Sequence, residues 1–371
     1  MKSRIEEIFS TITDPRVAGR CSHKLSDILM IALCTLIADG EDFEDMVVFC
    51  HEKESLLRTF LELPNGIPSH DTFNRVFQII DYQALDNCLG LYGKELLDII
   101  AEKQICIDGK KLRGVTPTKR GNQGLYILNA WVSENRFCIG QTKVQDKSNE
   151  ITALPVLINQ LDIKDSTVSI DAIGCQKDIA EAIRSKEAHY FLSVKKNQED
   201  LFEEVSESFK YHKTIQSVQE WEYEHGRYEQ RQCFIQSARE VLSPKLLAQW
   251  YDVQTTIKIV AQRTVKGVTK EEIRYYISSE KSDKPLYFNN LARGHWSIEN
   301  HLHWHLDVTF NEDASRARTR NAPLNLSTIR KIALHLISQM PDKISFKKRR
   351  YKAALNDDYL LSIIGIRYQQ P

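Results

Sequence analysis

Between Ile105 and Val144 the chain reads ICID (105–108), LYILNAWVS (125–133) and FCIGQTKV (137–144), three runs rich in β-branched and aromatic residues, parted by polar segments. That texture predicts three strands joined in a meander. An amphipathic helix is expected next, from about Asn149 to Leu161, then a buried strand at TVSIDA (167–172). A helix from Cys175 to about Ser185 and a strand at HYFLSVK (189–195) complete the series. Strands that alternate with helices require crossovers, so the stretch predicts an α/β fold: a mixed sheet covered by helices.

Outward from this centre the pattern changes twice. On the N-terminal side, from Lys24 to about Ile100, Leu25, Ile28, Leu29, Ala32 and Leu36 recur at helical spacing, and no alternating run interrupts them. Within it LPNGIPSHDTFNRVFQII (63–80) puts a Pro-Asn-Gly-Ile-Pro turn before a helix capped by Ser69 or Asp71, with Phe73, Val76, Phe77 and Ile80 on one face. Asn74, Arg75 and Gln78 would then point outward, as in a helix-turn-helix DNA reader or simply as the wet side of two packed helices. The acidic run DGEDFED (39–45) reads as a solvated loop and helix start.

On the C-terminal side, from about Glu203 to Lys284, EWEYEHGRYEQRQCFI, WYDVQTTIKIVAQRTV and EEIRYYISS predict a return to β structure. Helix is expected to resume at about Asn289 and to recur at LNLSTIRKIALHLISQM (324–340), ahead of a basic KISFKKRRYK (343–352). The expected organisation is a helical N-terminal domain over 1–100, a catalytic α/β part over 101–202, a β-rich insertion over 203–285, and the rest of the α/β part with a basic helical end over 286–371.

The chain has 371 residues, of which 42% are hydrophobic and 27% charged, enough apolar mass for real cores; disorder and small disulfide scaffolds are excluded. Its 50 Lys and Arg balance 50 Asp and Glu, so any polyanion must be gripped by local clusters of cations. The 8 cysteines form no CxxC pair, which argues against a zinc ribbon and for a reducing cytoplasm. The charged start MKSRIEEIFSTITDPR has no signal core, and the longest apolar run, near Ile28 to Ala38, is too short for a bilayer, so no membrane partner is expected. No Walker loop or GxGxxG suggests a nucleotide cofactor, and no nucleophile elbow a triad.

Two acids end apolar strands, Asp108 in ICIDGKKLRG and Asp171 in TVSIDAIGCQ, each with Gly within three residues. One such acid is ordinarily a turn residue; two in one sheet can face the crevice where α/β sheets bind ligands. On RGHWSIENHLHWHLDVTFNED (293–313), expected to be helical, His295, Glu299, His303 and Asp307 form a polar stripe in a Trp- and Leu-rich segment. Carboxylates from two strands and one helix can hold two Mg²⁺ (or Mn²⁺), which suits hydrolysis or transfer at phosphate. A rival zinc reading of His295, His301, His303 and His305 has an i, i+4 pair but lacks HExxH and any nearby Cys.

Cations cluster beside these acids: Lys110, Lys111, Arg113, Lys119 and Arg120; Arg316, Arg318, Arg320, Arg330 and Lys331; and the run 343–352. Such clusters fit a site where cations hold a nucleic-acid backbone, although any one run is more often a solvated surface.

In order, ICIDGKKLRG, TVSIDAIGCQKDIA, SVKKNQEDL and RGHWSIENHLHWHLDVTFNEDASRAR resemble DDE transposases of the H-repeat-associated type of bacterial insertion sequence, and the resemblance extends to HKLSDILMIALCTLIADG and IPSHDTFNRVF. It implies a ribonuclease H-like sheet with flanking helices, metal-dependent cleavage and strand transfer on DNA, and a homodimer in the synaptic complex. It gives Asp108, Asp171 and Glu299 as the catalytic, metal-holding acids, with Asp307 as the alternative third. Lys110, Lys111, Arg113, Lys195, Lys196, Arg293, His303, Arg316 and Arg318 become the expected DNA contacts. Two departures stand out. Lys196 replaces a Gly usual before Asn-Gln, and the Tyr, Arg and Lys that flank the Glu in the broader group are Ala292, His295 and Leu306 here. A decayed or repurposed DNA binder, or a nuclease that does not transpose, remain the rival functions.

Overall fold

A computed structural model describes residues 3–97, 103–115, 124–144, 150–211, 216–224 and 227–366. The centre is a nine-stranded mixed sheet in the order β3-β2-β1-β4-β5-β9-β8-β7-β6. Its strands are β1 (Lys103–Leu112), β2 (Leu125–Val132), β3 (Phe137–Val144), β4 (Ser166–Ile170), β5 (His189–Val194), β6 (Gln216–Glu224), β7 (Arg227–Ser237), β8 (Thr255–Val265) and β9 (Val268–Ser278).

The first three strands form the expected antiparallel meander, and β4 and β5 add parallel to β1 through the helices Glu150–Gln160 and Lys177–Ser185. The burial of β2 and β3 on both faces explains their near-continuous apolar runs. The β-rich stretch is not a separate sheet: β9 pairs antiparallel with β5 and carries β8, β7 and β6 onward from that edge. It also begins later than expected, because Glu199–Tyr211 is a helix whose Leu201, Val205 and Ser208 recur at helical spacing on its buried side.

The helix Ala322–Ser338 is buried on every side. It lies between β3 and the N-terminal helices Leu25–Ile37, His70–Ile79 and Tyr82–Leu97, which explains its polar residues. Asn325 donates to Phe77 O and Ile80 O at 2.8 and 3.1 Å, and Arg330 donates to Glu41 O at 3.2 Å. Arg330 and Lys331 are 2% and 3% exposed, so these two members of the basic cluster read from the sequence belong to the interior. Arg349 and Arg350 of the basic C-terminal run are likewise buried, Arg350 donating to Leu36 O and Gly40 O. Ser69 caps the His70–Ile79 helix as expected, and Arg75 is exposed while Phe73, Val76 and Phe77 face inward. No described helix is long and apolar enough to cross a membrane.

Candidate active site

One face of β1 is a ladder against a helical rod. The rod consists of an α-helix Pro285–Ser297, a π-helical turn Ile298–His303 and a short α-helix Trp304–Val308, and it ends before the Asp313 expected on it. Side chains on one face of a strand recur every second residue, about 6.6 Å apart, and each meets the rod about one turn further on. Gln104 donates to Leu291 O at 2.7 Å and to Ser169 Oγ at 3.0 Å. Cys106 Sγ donates to Gly294 O, where a side chain at 294 would collide with the Gln104 carboxamide. Asp108 meets Glu299 and His303, and Lys110 meets Asp307.

The π turn makes the third rung. In an α-helix a fourth residue overshoots the first by about 40°, so the stripe His295, Glu299, His303, Asp307 would drift off the strand. A turn closed by i to i+5 bonds is wider and offsets that drift. One ligand atom each from Asp108, Glu299 and His303 therefore lies within 4.8 Å of the others, the sole such cluster of three or more His, Cys, Asp or Glu among the described residues.

Charge is crowded here. Burial first, then the Glu299 charge and also that of Asp171, pushes the Asp108 carboxyl up to about 8. Asp171 follows β4, whose Ile170 is registered against Ile107 of the neighbouring β1, and its Oδ1 accepts from Ile173 N at 3.1 Å. It is close enough to act on Asp108 electrostatically but does not join the three-atom cluster. Glu150 is a fourth carboxylate, raised by its own burial and then by Asp171. A Cβ on Gly109 would come within 2.6 Å of Glu150 Oε1, so the glycine after Asp108 makes room for it. Oxygen donors that repel one another, with an imidazole beside them, form a chemically suitable seat for a divalent cation.

Several expected contacts are elsewhere. Lys110 is 7% exposed, and its ammonium lies 2.6 Å from Asp307 and 2.8 Å from Glu312. It is a buried counter-charge rather than a phosphate contact, and Asp307 is committed to it instead of serving as a third acid. His303 is no phosphate cation either, because burial drives its imidazole down to about 3 and keeps it neutral. Lys111 is half-buried over the Tyr126 ring, while Arg113, Arg293, Arg316 and Arg318 are exposed. Arg318 Nε donates to Gly114 O at 2.6 Å, and Arg113 pairs with Asp313 at 3.5 Å. Lys119 and Arg120 lie outside the described residues.

Lys195 and Lys196 are exposed, and the residues after them hold the Asp171 loop: Asn197 Nδ2 donates to Ala172 O at 2.7 Å and Gln198 Nε2 to Cys175 O at 2.9 Å. Lys196 keeps a negative φ, so replacing glycine there carries no backbone strain. Of the flanking departures, Leu306 is fully buried, Ala292 nearly so, and His295 Nδ1 is 3.0 Å from Ser169 Oγ. The four histidines do not converge, since His305 instead meets Thr309 Oγ1 at 2.9 Å and packs on Phe346. The proximity of His303 and Glu150 was illegible locally; only the glycine after Asp108 hinted at a close neighbour.

Comparison with known proteins gives a consistent result. The family described as "Transposase DDE domain" matches residues 101–336, and that described as "DDE_Tnp_1-associated" matches residues 6–92. The chain is 37% identical to YncI of Escherichia coli O157:H7, named as a candidate transposase, over 97% of this chain and 94% of that protein. It is 34% identical to YhhI of Escherichia coli K12, named as an H repeat-associated candidate transposase, over 98% of each chain. A shorter relative, YbfQ of Escherichia coli K12, is named as an inactive transposase; it is 38% identical over 20% of this chain and 87% of its own length.

Proposed function

The chain belongs to the Transposase DDE domain family, and from that membership we propose that it binds the ends of its own insertion sequence, cuts there and joins the freed 3′-hydroxyl to target DNA. The observation that carries the proposal is the meeting of Asp108 and Glu299, with Asp171 at the end of the adjacent strand. The meander β1 to β3 followed by parallel β4 and β5 supports a ribonuclease H-like reading of the sheet.

In this reading Asp108, Asp171 and Glu299 hold two divalent ions, Mg²⁺ or Mn²⁺. When bound, such ions supply Lewis acidity to the attacking and leaving oxygens of an in-line phosphoryl transfer. The chain's own part is positioning. The β1 ladder fixes the rod that carries Glu299, and Asn197 with Gln198 fixes the loop that carries Asp171. Lys195, Lys196, Arg293, Arg316 and Arg318 neutralise phosphates of the bound strands, and the His70–Ile79 helix, with Arg75 outward, reads the element ends. A homodimer brings two ends together, as synapsis requires.

The test incubates the protein with a labelled element end and a target plasmid, with Mg²⁺ or with chelator, beside Glu299→Gln. Metal-dependent nicking and a joined product, both lost in the variant, support the proposal. Cutting without joining points to a nuclease, and DNA binding without product in either protein to an inactive relative of the YbfQ kind.

A further inference from the structure

His303 stands where an acidic triad has no need of it. The residue is 7% exposed, its ring reaches Asp108 and Glu299 through the π turn, and its Nδ1 lies 3.6 Å from Asp108 Oδ2. We propose that His303 is itself a ligand to the divalent ion held by Asp108 and Glu299, so that one donor at this site is an imidazole nitrogen; the inference rests on the metal-dependent reading above.

Two observations converge on it. The ligand atoms of Asp108, Glu299 and His303 share a space no wider than 4.8 Å, small enough for one cation to touch all three. Asn129 supplies the second. Its Nδ2 lies 3.3 Å from His303 Nε2, while its own Oδ1 is buried without a hydrogen-bond partner.

That orphan has a use. For Nδ1 to offer its lone pair to a cation, the ring proton must sit on Nε2 and needs an acceptor there. A half-turn of the Asn129 amide brings Oδ1 to Nε2 at the expense of the long 3.5 Å bond from Nδ2 to Ile127 O, which satisfies the buried oxygen and leaves the Nδ1 lone pair free on the side of Asp108. Ligating histidines are commonly fixed through their second nitrogen in this way. An imidazole donor also favours first-row transition ions over Mg²⁺, whose preference is for oxygen.

The test uses Mn²⁺ bound to the full chain, read by electron spin-echo spectroscopy and by titration. The expected result is a directly coupled ¹⁴N in the wild type that changes to ¹⁵N when histidine alone is labelled. His303→Ala should lose it and bind Mn²⁺ roughly tenfold or more weakly, with a smaller change for Mg²⁺ in competition. Asp108→Asn and Glu299→Gln separate the two levels of inference. If they weaken Mn²⁺ binding but no histidine nitrogen couples in the wild type, His303 is not a ligand and only this inference fails. If Mn²⁺ does not bind, or binds without regard to Asp108 and Glu299, the metal-dependent reading falls and takes this inference with it. The wild-type spectrum decides even if the His303 variant fails to fold.

Discussion

The Lys110 ammonium lies 2.8 Å from Glu312 Oε2, and the two side chains are 7% and 1% exposed. The pair ties the strand that carries Asp108 to the turn that follows the Glu299 rod. Removal of Lys110 takes the nearest counter-charge from both Glu312 and Asp307 and leaves Glu312 with Arg330 at 3.9 Å, at a cost of about 3–5 kcal/mol. Lys110→Met should therefore lower the urea midpoint strongly, and adding Glu312→Leu should recover little of the loss, because it takes from the buried Arg330 its neighbouring carboxylate. A Lys110→Met protein of wild-type stability but weakened DNA binding would return Lys110 to the phosphates.

The same pair sets an acid limit. Neighbouring Lys110, Arg330 and Lys331 outweigh burial and hold the Glu312 carboxyl at about 2, below its ordinary 4.5. A depressed carboxyl contributes stability that is present above its unfolded value and is lost as pH falls through its folded one. Stability should thus decline from about pH 4.5 toward 2, and Glu312→Gln, though less stable at neutral pH, should show a shallower decline. Equal slopes in pH-dependent unfolding would rule Glu312 out as the cause.

Exposed cations should behave differently from Lys110. Lys195→Ala with Lys196→Ala removes two side chains beside the Asp171 loop and touches no buried group. DNA affinity should fall for all sequences alike, and the slope of log affinity against log salt should flatten by about 1–2. Unfolding should be unchanged. An unaltered salt slope would place these lysines off the DNA.

The π turn offers a geometric test. A bond from i to i+5 spans one residue more than an α-helical bond, so deletion of the exposed Asn300 can close an α turn while leaving Ile298 and Leu306 in the core. The variant should fold with a melting temperature within a few degrees of wild type, yet lose metal-dependent cleavage as Glu299 and His303 swing away from Asp108. Retained cleavage would mean that the π turn is incidental to the site.

Much of this architecture is legible in the sequence because it is set by local residue pattern. The β-branched and aromatic runs of 105–144, TVSI and HYFLSV give strands wherever they pack, and Ser69 caps the following helix by a bond within its own turn. Asp108 and Asp171 stand out because they end apolar strands, and Glu299 because it breaks an apolar helix. Tertiary structure alone decides which charges are used. Lys110, Arg330, Lys331 and Arg350 look in the sequence like Arg316 and Arg318, but distant segments bury the first four and leave the other two in water. Likewise nothing near His303 in the chain announces Asp108, nearly 200 residues earlier. A side chain's type and spacing determine what it can do, and only the electrostatic cost of its final surroundings settles whether it meets a phosphate, a metal or a buried partner.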